Sequence, residues 1–361
     1  MTLRPPHLLV SLSPHGYGHA AMTAPMVEAL RLVRPDLRLT LQTSTPLSWL
    51  KGRYAEPFGL IAKTPDFGMV MESALKVLPE DSHRRYQDLH GRLEHVVEAE
   101  AAMMTALGVD LVLSNISYVA LLAAKKAGIP AVAMSCLNWH EIYGAYCRHL
   151  PGATDILARM QEAYAGARSF LCPAPSLPMP GLPNVLPIGP LARLGTPQKA
   201  QLATAMVAEQ GSRFGLIAFG GMELPLDFAR WPRLEGWKWI VCGDPNGHPD
   251  MLGREKIPLS FNDLMCSCDL VIGKPGYGTF VEAGVNGIPM LYLPRPDWPE
   301  SADLQDWLSL HGRTLPFSLD DMFQKDRLEC QLRTLFSLDI KPVTLPTGVD
   351  DGVRVLQAIL G

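Results

Sequence analysis

The chain has 361 residues, 47% of them hydrophobic and 19% charged, and 32 basic against 36 acidic side chains give a formal net charge of −4. That length exceeds what one hydrophobic core usually serves, so two domains are expected, and the composition excludes a disordered chain. The slightly acidic balance excludes a general electrostatic footprint for nucleic acid.

The chain opens with MTLRPPHLLVSLSPHG, which enters a strand at 7–12 without a signal-peptide pattern. The next segment, Ser13-Pro14-His15-Gly16-Tyr17-Gly18-His19, leads into helical spacing over 20–33. Gly16, Gly18 and Ala21 fit a dinucleotide-binding pattern, which also needs an acid at the end of the second strand. The run 37–43 ends instead in Ser44-Thr45-Pro46, so hydride transfer is not expected. The two glycines still permit a tight turn and let a ligand approach a helix start. His15 and His19 flank them as candidate catalytic groups. His19 is the better base, because the positive helix end disfavours imidazolium and keeps the ring neutral.

Helical spacing over 94–107 and 118–127 alternates with strands at 111–113 and 131–134. A proline-rich run, CPAPSLPMPGLPNVLPIGP at 172–190, forbids a helix or central strand and is read as an interdomain connector. Further strands follow at 216–219, 239–241, 270–272 and 290–292, with a helix over 279–286. The tail carries VRVLQAIL beyond a second proline break. This alternation predicts an α/β protein with two helix-covered parallel sheets, most simply as two domains facing a cleft. The expected boundaries are 1–171, a connector at 172–197, a second domain at 198–345 and a terminal helix at 346–361. Seven cysteines without regular spacing read as small core residues in a reducing cytosol, and no metal site is expected. No apolar run reaches the ~18 residues of a membrane span. A cytoplasmic protein follows, and peripheral contact with a membrane stays compatible with that reading.

The segment DLVIGKPGYGTFVEAGVNGIPMLYLPRP joins a buried strand to a helix through Lys274-Pro275-Gly276-Tyr277-Gly278-Thr279. Gly276 and Gly278 leave backbone amides uncovered at a helix start, Thr279 adds a hydroxyl and Lys274 a charge, so a diphosphate is the expected occupant. Glu282, one turn further, is placed to accept from vicinal ribose hydroxyls. Gly220 and Gly221, after the first strand of the same domain, form a second turn able to approach the nucleotide.

These residues carry a resemblance. The segment from Ile272 resembles the nucleotide-binding region of GT-B glycosyltransferases of the MurG-like branch. It is more closely similar to the glycosyltransferase-like region of plant L-arabinokinases and its stand-alone bacterial relatives. The likeness runs through SPHGYGHA, DLVLSNISYVALLAAKKAGIPAVAMSCLNWHEIY, FGG and GWKWIVCGD, whereas the kinase half has no counterpart. Asp66-Phe67-Gly68 matches a kinase tripeptide but lacks companion motifs, and is read as chance.

The resemblance implies a GT-B fold of two Rossmann-like domains. A nucleotide-sugar donor, with UDP as the family's usual nucleotide, would sit in the C-terminal domain, and an acceptor of unspecified identity mainly against the N-terminal one. It implies that Arg295, Asp297 and Glu300 meet the donor sugar and that Gly16, Gly18, Asn115, Asn138 and Trp139 lie on the acceptor side. It also implies a terminal helix crossing back to the first domain and His19 as base. Retaining relatives carry two glutamates at the places held here by Lys274 and Glu282, so inversion is expected. The absence of Asp-x-Asp makes metal independence the expectation, with no cofactor. Several relatives orient the histidine with aspartate where this chain has Asn115. Trp139, His140, Tyr143 and Tyr146 are a possible aromatic platform for a sugar. Two alternatives stand beside transfer: an epimerase or hydrolase acting on the same donor, and a non-catalytic nucleotide-sugar sensor.

Overall fold

Strands rich in Leu, Val and Ile with few polar interruptions are the kind buried on both faces, which suits parallel sheets clad by helices. HLLVSL at 7–12 is buried at every position. The computed structural model describes residues 4–73, 75–220 and 226–361. It divides into two units, Met1–Leu191 with Thr347–Gly361, and Ala192–Pro346.

The first unit holds strands β1 (His7–Leu12), β2 (Arg38–Gln42), β3 (Gly59–Ile61), β4 (Leu111–Asn115), β5 (Ala131–Met134), β6 (Phe170–Pro173) and β7 (Val185–Ile188). All pair in parallel in the order β3-β2-β1-β4-β5-β6-β7. The second holds β8 (Arg213–Ala218), β9 (Trp237–Val241), β10 (Met251–Gly253), β11 (Leu270–Gly273), β12 (Met290–Tyr292) and β13 (Thr314–Pro316). These are again parallel, in the order β10-β9-β8-β11-β12-β13. The expectation of two parallel, helix-covered sheets is met. In each sheet the strand order reverses once, between β1 and β4 and between β8 and β11. Connections leaving the carboxyl ends there diverge to opposite faces, which is where open α/β sheets bind ligands.

The proline-rich run is not simply a connector. β6 ends within its first residues and β7 lies inside it, and the first unit extends to Leu191. Proline is tolerated because β7 is the sheet's edge, where outward amides need no partner. The short strands β3, β6, β7, β10 and β13 gave no periodic signal. The terminal helix Gly348–Leu360 packs on helix Gly18–Val33 of the first unit. Glycines permit the close approach: a side chain on Gly352 would collide with Met26, and one on Gly348 with the Gly189 carbonyl. The Gly189 amide donates to Asp351 Oδ2 at 3.0 Å. Among the described residues no helix is long and apolar enough to cross a membrane.

Candidate functional site

In the first unit, the reversal between β1 and β4 assembles the candidate base. Ser13, just past β1, donates its amide to the Asn115 carbonyl at 2.8 Å, tying the loop to the end of β4. Gly16 turns the chain with φ 73, a left-handed conformation that favours glycine. Helix Gly18–Val33 then begins with no side-chain cap and no acid in its first turn. A Cβ on Gly18 would meet nothing within 4 Å, so the amides of this helix start stay uncovered.

His19, 6% exposed, places Nδ1 2.8 Å from Asn115 Oδ1. The Asn115 amide nitrogen is committed elsewhere, donating to Thr23 Oγ1 at 2.8 Å and to the His19 carbonyl at 3.3 Å. Its oxygen therefore faces the imidazole and accepts from Nδ1–H. This fixes the tautomer and leaves the lone pair on Nε2. Burial lowers the His19 pKa to about 4, with the Asn115 hydrogen bond opposing the shift. The ring is neutral at pH 7, as its place at a helix start suggested, but enclosure is the leading cause.

Trp139 does not form a sugar platform. It is fully buried, with its ring centroid 5.3 Å from that of His15 and 5.7 Å from that of His19. Its ring borders both histidines. Asn138 caps helix Trp139–Cys147 by accepting from the Glu141 amide at 2.8 Å. Tyr143 is equally buried, with its hydroxyl 2.6 Å from His83 Nδ1. Of the four residues expected there, Trp139 and Tyr143 face the core, whereas His140 and Tyr146 are half-buried.

The opposite wall is Gly68. A Cβ there would lie 2.6 Å from Trp139 Cη2 and 2.7 Å from His15 Nδ1. Gly68→Ala is therefore expected to displace both rings and to destabilise the fold by about 1–3 kcal/mol, the usual range for overpacking. Denaturant unfolding measures this, and unchanged stability would mean the wall is looser than its contacts imply.

In the second unit, β11 runs into Lys274-Pro275-Gly276 and helix Tyr277–Val285, beside the reversal between β8 and β11. Gly276 is the N-cap in extended conformation, no side chain caps the helix, and its first turn has no acid. Gly278 and Thr279 fall within that turn. Gly220 follows β8 with φ 82 and open space where a Cβ would be. Gly221 lies outside the described residues.

Lys274, Arg295 and Glu300 come together electrostatically. The Lys274 pKa falls to about 8, first through burial and then through the Arg295 charge, with Glu300 opposing. Arg295 and Glu300 are 5% and 4% exposed, so they are not part of a solvated loop, whereas Asp297 is exposed. Trp298 joins them: the Arg295 guanidinium lies 4.0 Å over its ring, and its Nε1 donates to Glu300 Oε2 at 3.1 Å. Sequence reasoning passed over Trp298, although its position between Arg295 and Glu300 was a signal. Glu282 is buried on the inner side of its helix, at 3% exposure. No cluster of three or more His, Cys, Asp or Glu suited to a metal ion occurs among the described residues.

No family model matches the chain. It is 25% identical over 305 residues to the L-arabinokinase of Arabidopsis thaliana, covering 82% of this chain and 29% of that protein. The chain thus spans under a third of that relative's length. It is 24% identical over 313 residues to the UDP-N-acetylglucosamine–N-acetylmuramyl-(pentapeptide) pyrophosphoryl-undecaprenol N-acetylglucosamine transferase of Cutibacterium acnes, covering 80% of this chain and 78% of that one. Among solved structures, the glycotransferase of kitacinnamycin superposes with a TM-score of 0.61 at 16% identity, over 99% of this chain and all of the other. The fold is the two-sheet GT-B arrangement of such enzymes.

Proposed function

We propose that this protein is a glycosyltransferase that moves a sugar from a nucleotide-diphosphate donor, a UDP-sugar, to an acceptor hydroxyl, with inversion and without a metal ion. The observation that carries the reading is His19, a buried neutral imidazole whose tautomer Asn115 fixes with the basic nitrogen free. In the proposed step, Nε2 removes the acceptor hydroxyl proton as that oxygen bonds to the anomeric carbon. The bond from that carbon to the phosphate oxygen breaks, and the diphosphate leaves with the electron pair. Amides at the start of helix Tyr277–Val285 and the Lys274 ammonium stabilise the charge it gains. The L-arabinokinase match supports the fold region and says nothing of sugar phosphorylation here.

Asn115 gives the sensor reading its support. An amide orients imidazole without stabilising imidazolium, and in a serine-protease triad the equivalent change lowers turnover by about 10⁴. Calorimetric titration with UDP, GDP and dTDP, with and without magnesium, tests the donor site. One nucleotide is expected to bind regardless of metal, with binding weakened at least tenfold in Glu282→Ala if that carboxylate holds the ribose. Failure of all three to bind would remove the transferase and sensor readings together. Products formed from a nucleotide sugar without any acceptor separate transfer from epimerisation or hydrolysis.

A further inference from the structure

Asp66 has no role in the reaction proposed above, yet it is 4% exposed at the centre of the first unit's site. Its Oδ2 accepts from Ser117 Oγ at 2.8 Å and from the Val119 amide at 3.1 Å, at the start of helix Tyr118–Lys126. Oδ1 is buried with no hydrogen-bond partner among the described residues. Two arms lead from this carboxylate to the histidines. Along its own segment, the Phe67 carbonyl accepts from Tyr86 Oη at 2.9 Å, and Gly68 abuts Trp139 and His15. Along the other, Ser117 lies two residues beyond Asn115, which holds His19. Tyr164 Oη donates to the Ile116 carbonyl at 2.9 Å and accepts from the Trp139 amide at 3.3 Å, joining the arms.

We propose that Asp66 is a positioning residue for the loop carrying His15 and His19, its carboxylate locking segment 66–68 to the start of helix Tyr118–Lys126 so that both rings keep their places. A catalytic consequence rests on the transferase reading, but the positioning does not. The lock responds to pH. Burial raises the Asp66 pKa to about 7, the Val119, Ser117 and Tyr118 donors pull it back, and Glu100 pushes it further up. The other titratable groups facing it, Tyr86, Tyr118 and Tyr164, are held protonated by burial. His90, hydrogen-bonded to Tyr118 Oη, is lowered to about 4 by burial and Arg159. His19 also titrates near 4. Of these groups, Asp66 is the one whose charge changes near pH 7.

The direction for stability follows. The folded chain holds the Asp66 proton more tightly than the unfolded chain, so this contribution is complete below about pH 4 and is lost as pH rises through about 7. Asp66→Asn does not ionise, so its melting temperature relative to wild type should move in the variant's favour between pH 5 and pH 8.

Imidazole ¹⁵N NMR of the full chain, assigned with His15→Gln and His19→Gln, tests the proposal without a substrate. In wild type, the His19 resonances, whose own titration lies near pH 4, should show a separate shift with a midpoint near pH 7. Asp66→Asn should abolish that response. Ser117→Ala, which removes a donor from the carboxylate, should move the midpoint upward and decides the matter if the first variant does not fold. His19 resonances indifferent to pH around 7 in wild type, or shifting there equally in Asp66→Asn, would overturn the proposal. The catalytic arm is read at pH 8 with a nucleotide sugar and an acceptor that the wild type turns over: at least a tenfold lower kcat with KM within twofold is expected in Asp66→Asn. The NMR result stands independently of that arm and of the transferase reading.

Discussion

His19→Gln is expected to lower turnover by about 10²–10⁴-fold, the range for a positioned proton acceptor, while leaving nucleotide affinity within a factor of two. Glutamine can still donate to Asn115 Oδ1, so that buried amide keeps a partner, but it has no basic nitrogen for an acceptor hydroxyl. Alanine would be a poorer test, because an unpaired Asn115 adds a folding defect of about 1–3 kcal/mol. Steady-state kinetics beside calorimetry separates the effects, because the residues proposed to hold the nucleotide all belong to the other unit. If turnover survives, His19 is not the base. Its titration carries its own signature. Between pH 6.5 and 4 the unfolded chain takes up a proton that the buried ring refuses, so this group's contribution to stability falls on acidification through that window.

Lys274→Met should weaken nucleotide diphosphate binding by about 10–100-fold, as expected for a charge-assisted hydrogen bond worth about 1.5–3 kcal/mol. The same substitution should raise the melting temperature at pH 7. The folded chain lowers the Lys274 pKa to about 8 from 10.5, so its charged form opposes folding, fully below pH 8 and progressively less up to 10.5. A group that opposes folding and supports binding is held for its function. Wild-type affinity should also decline from pH 7 to 9.5 as the ammonium is lost, and that slope should flatten in the variant. Calorimetry at the two pH values with a thermal melt checks all three outcomes. Unchanged affinity in Lys274→Met would remove the lysine from the diphosphate site.

The long strands and helices were legible because parallel sheets write themselves as apolar runs alternating with helical periods. β1, β5 and β12 have the ends expected of them. β3, β10 and β13 have three residues each and were missed, whereas β12 is as short but lies in the apolar stretch IPMLYL after a glycine loop and helix. In the proline-rich run, composition indicated what the backbone could not do, and an edge strand fell within what it still allows. Around the site, glycine loops after strands announce themselves by spacing, which brought out His19 and the 274–279 turn. Burial does not announce itself. Trp139 looked like a platform from its helical neighbours, Glu282 could as well have been an exposed carboxylate, and Asp66 sat in a tripeptide that resembled something else. Its partners Ser117 and Val119 lie some fifty residues away, a distance only the fold closes.

The terminal helix makes the first unit a host and the second its guest. Everything from Ala192 to Pro346 is inserted between β7 and the helix that completes the surface beside Met26. During synthesis the host's sheet can form early, but helix Gly18–Val33 must wait for a partner more than three hundred residues later. Until that partner leaves the ribosome, an apolar face next to the His19 loop has no cover, and the guest must fold while the host is still open. Such long-range closure is slow and prone to aggregation. The order of assembly is therefore reversed from the order of the chain: the part of the site made first is the last to become finished.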